Sequence, residues 1–132
     1  MRHLNPKGWP QPKGYSNGIS ADGRCVFVAG MIGWDEEGRF VEGFVAQFEK
    51  VLENTVAVLA EAGAGPQHIV RMTWFVKDLA AYRDNLVGVG EAYRRIIGRT
   101  FPTTAVIGVN DLAEPEALLE IETPAIVPPS AE

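Results

Sequence analysis

The sequence predicts one α+β domain: a mixed β-sheet with two helices on one face, in the order β-β-α-β-α-β-β. Three observations carry this expectation. Apolar residues between 44 and 62 recur at helical spacing, whereas residues 68–77, 103–109 and 118–126 alternate as strands do. Clusters of Gly and Pro punctuate the chain between these segments. A length of 132 residues suits one core, and the whole chain, 1–132, reads as one domain.

Taken in order, residues 1–14 are rich in Pro and Gly and are expected to form an irregular, surface-laid arm. Residues 15–20 and 24–32 read as two strands joined through Ala21-Asp22-Gly23, because Asp-Gly between apolar runs favours a hairpin. Asp35-Glu36-Glu37-Gly38 reads as a solvated turn. The first helix, over 44–62, has the stripe Phe44, Phe48, Val51, Leu52, Thr55, Val56 and Leu59. Gly63, Gly65 and Pro66 end it. Residues 68–77 form a strand beginning at an exposed His68, with Val70, Met72, Trp74 and Val76 on one face. Asp78 is placed to N-cap a second helix reaching 97, buried through Tyr82, Leu86, Val89, Tyr93, Ile96 and Ile97. The last two strands flank a loop at 110–116, and Pro124 predicts an edge position or a bulge. Helices on one face leave Thr73, Phe75, Ala105 and Ile107 uncovered on the other, which implies a partner subunit.

Bulk properties narrow the function. With 12 Lys and Arg against 17 Asp and Glu the net charge is -5, and no basic cluster stands out. A protein whose main work is gripping phosphate backbones is therefore disfavoured, and no nucleic-acid partner is expected. No apolar run approaches the roughly 18 residues of a membrane helix, so no membrane partner is expected either. The segment Met1-Arg2-His3-Leu4-Asn5-Pro6 lacks a signal peptide's apolar core. A lone cysteine, Cys25, cannot form an internal disulfide, which suits a reducing, cytoplasmic setting, and it reads as a buried small hydrophobe. His3 and His68 stand isolated, without the spacing of a metal site. Gly63-Ala64-Gly65-Pro66 lacks the Lys-Ser/Thr of a phosphate loop.

The chemistry-bearing stretches are Phe101-Pro102-Thr103-Thr104-Ala105-Val106 and Leu119-Glu120-Ile121-Glu122. In the second, Glu120 and Glu122 share one strand face. A carboxylate flanked by apolar residues suits acid–base chemistry, because desolvation moves proton affinity toward neutrality. From the residues alone, Glu120 reads first as a structural partner of an Arg or of backbone N–H groups.

Together these segments resemble the RidA/YjgF family, also called L-PSP. The resemblance rests on Gly14-Tyr15-Ser16, Val26-Phe27-Val28-Ala29-Gly30-Met31-Ile32, Asn54 with Leu59-Ala60-Glu61-Ala62-Gly63, Val76-Lys77-Asp78-Leu79, Tyr93, Phe101-Pro102 and Leu119-Glu120-Ile121-Glu122. It spans nearly the whole chain and lies in the order and spacing of the pieces. It implies a chorismate-mutase-like fold and a homotrimer with a central barrel, whose clefts at the subunit interfaces take a small-molecule substrate or ligand. The family's archetypal activity is hydrolysis of enamine or imine intermediates to a 2-oxo acid and ammonia. No cofactor and no metal are implied.

Carried over residue by residue, the family's catalytic Glu falls on Glu120. The substrate-binding positions fall on Tyr15, Ala29, Gly30, Gly90, Thr104 and Val106. Four of these depart from the family pattern. Ala29 replaces a Ser, Gly90 an Asn, Thr104 the Arg that grips the substrate carboxylate, and Val106 a frequent Cys. The stretches Val70-Arg71-Met72-Thr73-Trp74-Phe75-Val76, Ala92-Tyr93-Arg94-Arg95 and Gly98-Arg99-Thr100-Phe101-Pro102 look like a branch without this Arg, the 2-aminomuconate deaminases. Arg71, Arg94, Arg95 and Arg99 read either as a replacement anchor or as solvated surface groups. Tyr15 reads equally as a lid and as hairpin packing. Two functions remain: an enamine/imine deaminase using Glu120, or a non-catalytic small-molecule-binding or regulatory trimer.

Overall fold

The computed structural model describes residues 1–130, and within them the mixed α+β expectation holds. Strands β1 (Arg2–Leu4) and β2 (Gly18–Ser20) precede the long β3 (Arg24–Met31). Helix α1 (Phe44–Glu61) and a 3-10 turn (Pro66–His68) lead to β4 (Arg71–Val76). Helices α2 (Leu79–Asp84) and α3 (Leu86–Ile96) then lead to β5 (Thr103–Gly108) and β6 (Leu119–Val127).

The main sheet has the order β3-β6-β4-β5, with β4 and β5 parallel and the other pairs antiparallel. A parallel pair needs a long crossover, which α2 and α3 supply. On the helix side Val28, Met72, Trp74, Val76, Leu119, Ile121 and Ala125 join Phe48, Val51, Leu52 and Leu59 of α1 in one core. The stripe read from α1 is buried at Phe44, Phe48, Val51, Leu52, Thr55 and Leu59, and Val56 packs against it. The helix ends through Gly63, whose φ of 68° few side chains tolerate, with the Ala64 N–H donating to Leu59 O.

Gln47 is a buried polar group in this apolar stripe, 3% exposed. Its Nε2 donates to Val41 O at 3.2 Å and to Glu116 O at 3.1 Å, and its Oε1 accepts from Leu118 N at 2.9 Å. One amide thus ties α1 to the loop before it and to the loop that feeds β6. Gly33 gives this side chain its room, because a Cβ there would lie 2.8 Å from Gln47 Cβ.

Several expectations are corrected. The N-terminal arm is partly ordered, since Arg2–Leu4 pairs with Gly18–Ser20. Residues 15–20 and 24–32 therefore do not form a hairpin. At Gly23, with φ of 146°, a Cβ would meet Val127 O at 2.0 Å, so the backbone turns onto β6 and β3 pairs there. The second helix is broken at Asn85, whose Nδ2 donates to Ala81 O at 2.7 Å and whose carbonyl accepts from Val89 N at 2.9 Å. It closes α2 and opens α3. Asp78 does N-cap α2, accepting from Ala80 N at 3.0 Å.

Pro124 sits in an interior strand. The ladder between β6 and β4 ends at Thr73↔Glu122, and beyond it Pro124 acts only as an acceptor, from Val70 N at 3.2 Å. His68 lies in the 3-10 turn, half-buried, its Nδ1 accepting from Gly65 N at 3.0 Å. Cys25 is exposed, because Val26 and Val28 take the helix side of β3 and leave Cys25 and Phe27 outward.

The sheet's other face carries Phe27 (79% exposed), Phe75, Ala105 and Ile107 (43% exposed), with no element among the described residues packed over it. No helix of the described residues is long and apolar enough to cross a membrane. Replacing Gln47 by Leu keeps its bulk but strands two carbonyls and one N–H. We expect a loss of about 2–4 kcal/mol in urea-unfolding stability, as buried unsatisfied groups cost about 1–3 kcal/mol each before relaxation.

Candidate functional site

A cavity of about 630 Å³ opens between the helix-facing side of β5 and helices α2 and α3. Thr104 and Val106 of β5 line it, placed beside Met72 and Trp74 by the parallel register. Val89, Gly90 and Tyr93 of α3 form the opposite wall, with Tyr82 and Leu86 nearby. The Thr104 hydroxyl donates to the carbonyl of Pro102, just before β5, at 3.0 Å. Trp74 contributes the floor, 6% exposed, and its Nε1 has no hydrogen-bond acceptor. Its indole lies edge-on to Tyr82, with centroids 6.1 Å apart, and tilted on Phe48 at 4.9 Å.

The N-terminal arm completes the rim with Lys13, Gly14 and Tyr15. Ser16 fixes it there. Its N–H donates to Pro102 O at 3.1 Å, its hydroxyl donates to Phe101 O at 2.5 Å, and His3 Nδ1 lies 2.8 Å from that hydroxyl. Phe101 stacks on Tyr93 with centroids 6.3 Å apart, and the Tyr93 hydroxyl donates to Thr100 O at 2.5 Å. Burial pushes the Tyr93 phenol well above its ordinary range, so it stays protonated and serves as a fixed donor.

Glu120 lies elsewhere. It opposes Phe75 across the β6–β4 ladder and so faces the sheet's open side. There it rests on Gly30, where an added Cβ would fall 2.2 Å from Glu120 Oε2. The β3–β6 register shifts between Val28 and Met31, leaving Ala29 and Gly30 without ladder partners beneath the carboxylate. Glu120 is half-buried and makes no side-chain hydrogen bond or ion pair among the described residues.

Comparison with known proteins decides the family. The family described as Endoribonuclease L-PSP matches residues 10–127. The chain belongs to this family, the RidA/YjgF family. A RutC family protein of Pyrococcus abyssi is 35% identical over 116 residues, covering 86% of this chain and 87% of the relative. A crystal structure of a Rid family protein of unknown function from Yersinia pestis superposes with a TM-score of 0.83 at 33% identity, covering 96% of this chain and 98% of that one. E. coli TdcF, crystallised with bound serine, gives a TM-score of 0.68 at 25% identity over 96% of this chain and 99% of its own.

On a RidA/YjgF frame, the residues carried over by position fall into two groups. Tyr15, Gly90, Thr104 and Val106 line the cavity between β5 and α3. Ala29, Gly30 and Glu120 lie together at the bulge of β3, on the sheet's other face. Within one chain the two groups do not meet, since β5 and β3 are opposite edges of the sheet. The sequence reading passed over Trp74 and Tyr82 as cavity walls, taking them for core. An aromatic alternating with Met72 and Val76 on a strand carries no mark that sets it beside a cavity. Among the described residues no cluster of His, Cys, Asp or Glu is placed to hold a metal ion.

The buried phenol of Tyr93 gives an alkaline stability limit. Unfolded tyrosine ionises near its ordinary value of about 10, while the folded group keeps its proton. The stabilising difference is complete below about pH 10 and is lost as pH rises above it. Tyr93→Phe, unfolded by urea in a series from pH 8 to about pH 11, should show a shallower fall in stability than wild type.

Proposed function

We propose that this protein is a hydrolytic deaminase acting on a small enamine or imine acid, working as a homotrimer. The observation that carries the reading is the Glu120 carboxylate. It is half-buried, has no partner among the described residues and rests against the side-chain-free backbone of Gly30. A structural carboxylate in that setting would hold an Arg or an N–H group, because leaving a buried charge unpaired is unfavourable. A carboxylate kept free suits proton transfer instead.

The sheet order supports the trimer. β3 and β5 are its two edges, so copies arranged head to tail in a closed ring bring the β5 side of one subunit to the β3 side of the next. Such contacts unite the Tyr15–Thr104 cavity with the Glu120–Gly30 group of a neighbour. They also give the outward Phe27, Phe75 and Ile107 a common surface to bury.

In the proposed reaction the enamine tautomerises to the imine, and water adds to the imine carbon. Glu120 accepts a proton from the attacking water and returns it to the nitrogen, giving a carbinolamine; the carbinolamine's hydroxyl proton then passes through Glu120 to the same nitrogen, which leaves as ammonia while the carbon becomes a ketone. One water is consumed for each oxo acid and ammonia formed. The serine bound to TdcF, which shows a related structure holding a small amino acid, is in keeping with this reading.

A non-catalytic ligand-binding trimer is the second reading, favoured by Thr104, whose hydroxyl is engaged by the Pro102 carbonyl where a gripping side chain is expected. The ribonuclease activity suggested by the family's description fits less well with a net charge of -5.

Glu120→Gln should lower the rate of ammonia release from enamines generated in situ by about 100-fold or more, within the range of general acid–base contributions. Activity equal to wild type would remove the mechanism, and a wild type no faster than buffer would favour the binder. Light scattering should give three times the mass of 14.4 kDa.

A further inference from the structure

Five of the chain's twelve Lys and Arg make an ion pair or a side-chain hydrogen bond among the described residues. Arg39, Lys77 and Arg95 each hold a carboxylate, Arg24 donates to Ala62 O, and Arg71 to Thr73 Oγ1. Arg94 and Arg99 are among the others. Neither makes an ion pair or a side-chain hydrogen bond among the described residues, yet both line the cavity between β5 and α3. Lys13 joins them at the rim, and no Asp or Glu lines the same space. A chain of net charge -5 therefore concentrates unpaired positive charge around one cavity.

The conformation of Arg94 is specific. An added Cβ at Gly90 would lie 3.6 Å from Arg94 Nη2, so the guanidinium folds back one turn along α3 and covers the bare backbone there. A side chain longer than Ala at position 90 would contest that volume. Arg95, the next residue, points away and pairs with Glu49 at 3.0 Å. Beneath the cations, Val89 and Val106 give apolar walls and the Trp74 indole an aromatic floor. The volume of about 630 Å³ far exceeds what a three-carbon acid fills.

We propose that this cavity selects a planar, ring-sized carboxylic acid, with Arg94 and Arg99 holding the carboxylate and the acid's unsaturated body lying against Val89, Val106 and the Trp74 indole. Guanidinium groups on α3 and in the turn after it thus do what Thr104 cannot do from β5. The proposal rests on the deaminase reading of the same site and names its substrate class. It stands on binding alone, so the two can fail separately.

The test uses benzoylformate, an aromatic 2-oxo acid, its neutral methyl ester, and pyruvate, titrated calorimetrically into the purified protein. Benzoylformate should bind at least about tenfold tighter than either of the others. Arg94→Gln and Arg99→Gln should each weaken it by about tenfold to a hundredfold while leaving ester binding unchanged. Arg95→Gln should bind as wild type does. No binding of benzoylformate by wild type, equal affinity for acid and ester, or wild-type affinity in the Arg94→Gln/Arg99→Gln double variant would each overturn the proposal. Glu120→Gln separates the two claims. If it retains wild-type turnover while the arginine variants lose binding, the deaminase reading fails and the anchor stands. If it is inactive while the arginine variants bind normally, the anchor fails and the chemistry stands.

Discussion

The buried amide of Gln47 is the constraint on which the rest of this fold depends. Helix α1 covers the sheet through apolar contacts, which are strong but not directional. They leave open how the helix is turned and where the loops beside it run. Gln47 closes that freedom by joining Val41, Glu116 and Leu118 through the two hydrogens and the oxygen of one side chain. Because Leu118 leads directly into β6, the same amide sets where Leu119 begins and hence where Glu120 emerges. The catalytic candidate is positioned by a polar contact on the far side of its own sheet.

Much of the fold could be read from periodicity, and the failures share a cause. Helix α1 and strands β4, β5 and β6 followed from patterns whose period is set by local geometry. Pairing partners did not. Asp22-Gly23 has hairpin chemistry, but Val127 occupies the space a Cβ at 23 would take, and the chain crosses to β6. Pro124 reads as an edge residue until the ladder with β4 is seen to stop at Glu122, after which no donor is required of it. The break at Asn85 depends on one side-chain amide reaching Ala81 O, a detail that composition does not record.

The candidate site divides in the same way. The kinship of Tyr15, Thr104 and Val106 was accessible from motif order, and so was that of Gly30 and Glu120, whose contact needs a residue without a side chain at position 30. Their separation onto two faces was not, because it follows from strand order. Nor could the sequence rank Arg94 above Arg95. Adjacent residues on a helix point about 100° apart, and only packing decides which meets Glu49 and which the cavity.

The strand order has a consequence for how the protein comes to exist. β6, the last strand in the chain, is an inner strand of the sheet, between β3 and β4. Before it is made, β3 has no partner in the main sheet, and β4 has only β5. A nascent chain therefore leaves the ribosome with α1's apolar face and two unfilled strand edges exposed until β6 emerges. Non-local closure of this kind slows folding and lengthens exposure to wrong partners. The same gap, filled by a β6 from another copy, would give a swapped dimer rather than a ring of complete subunits.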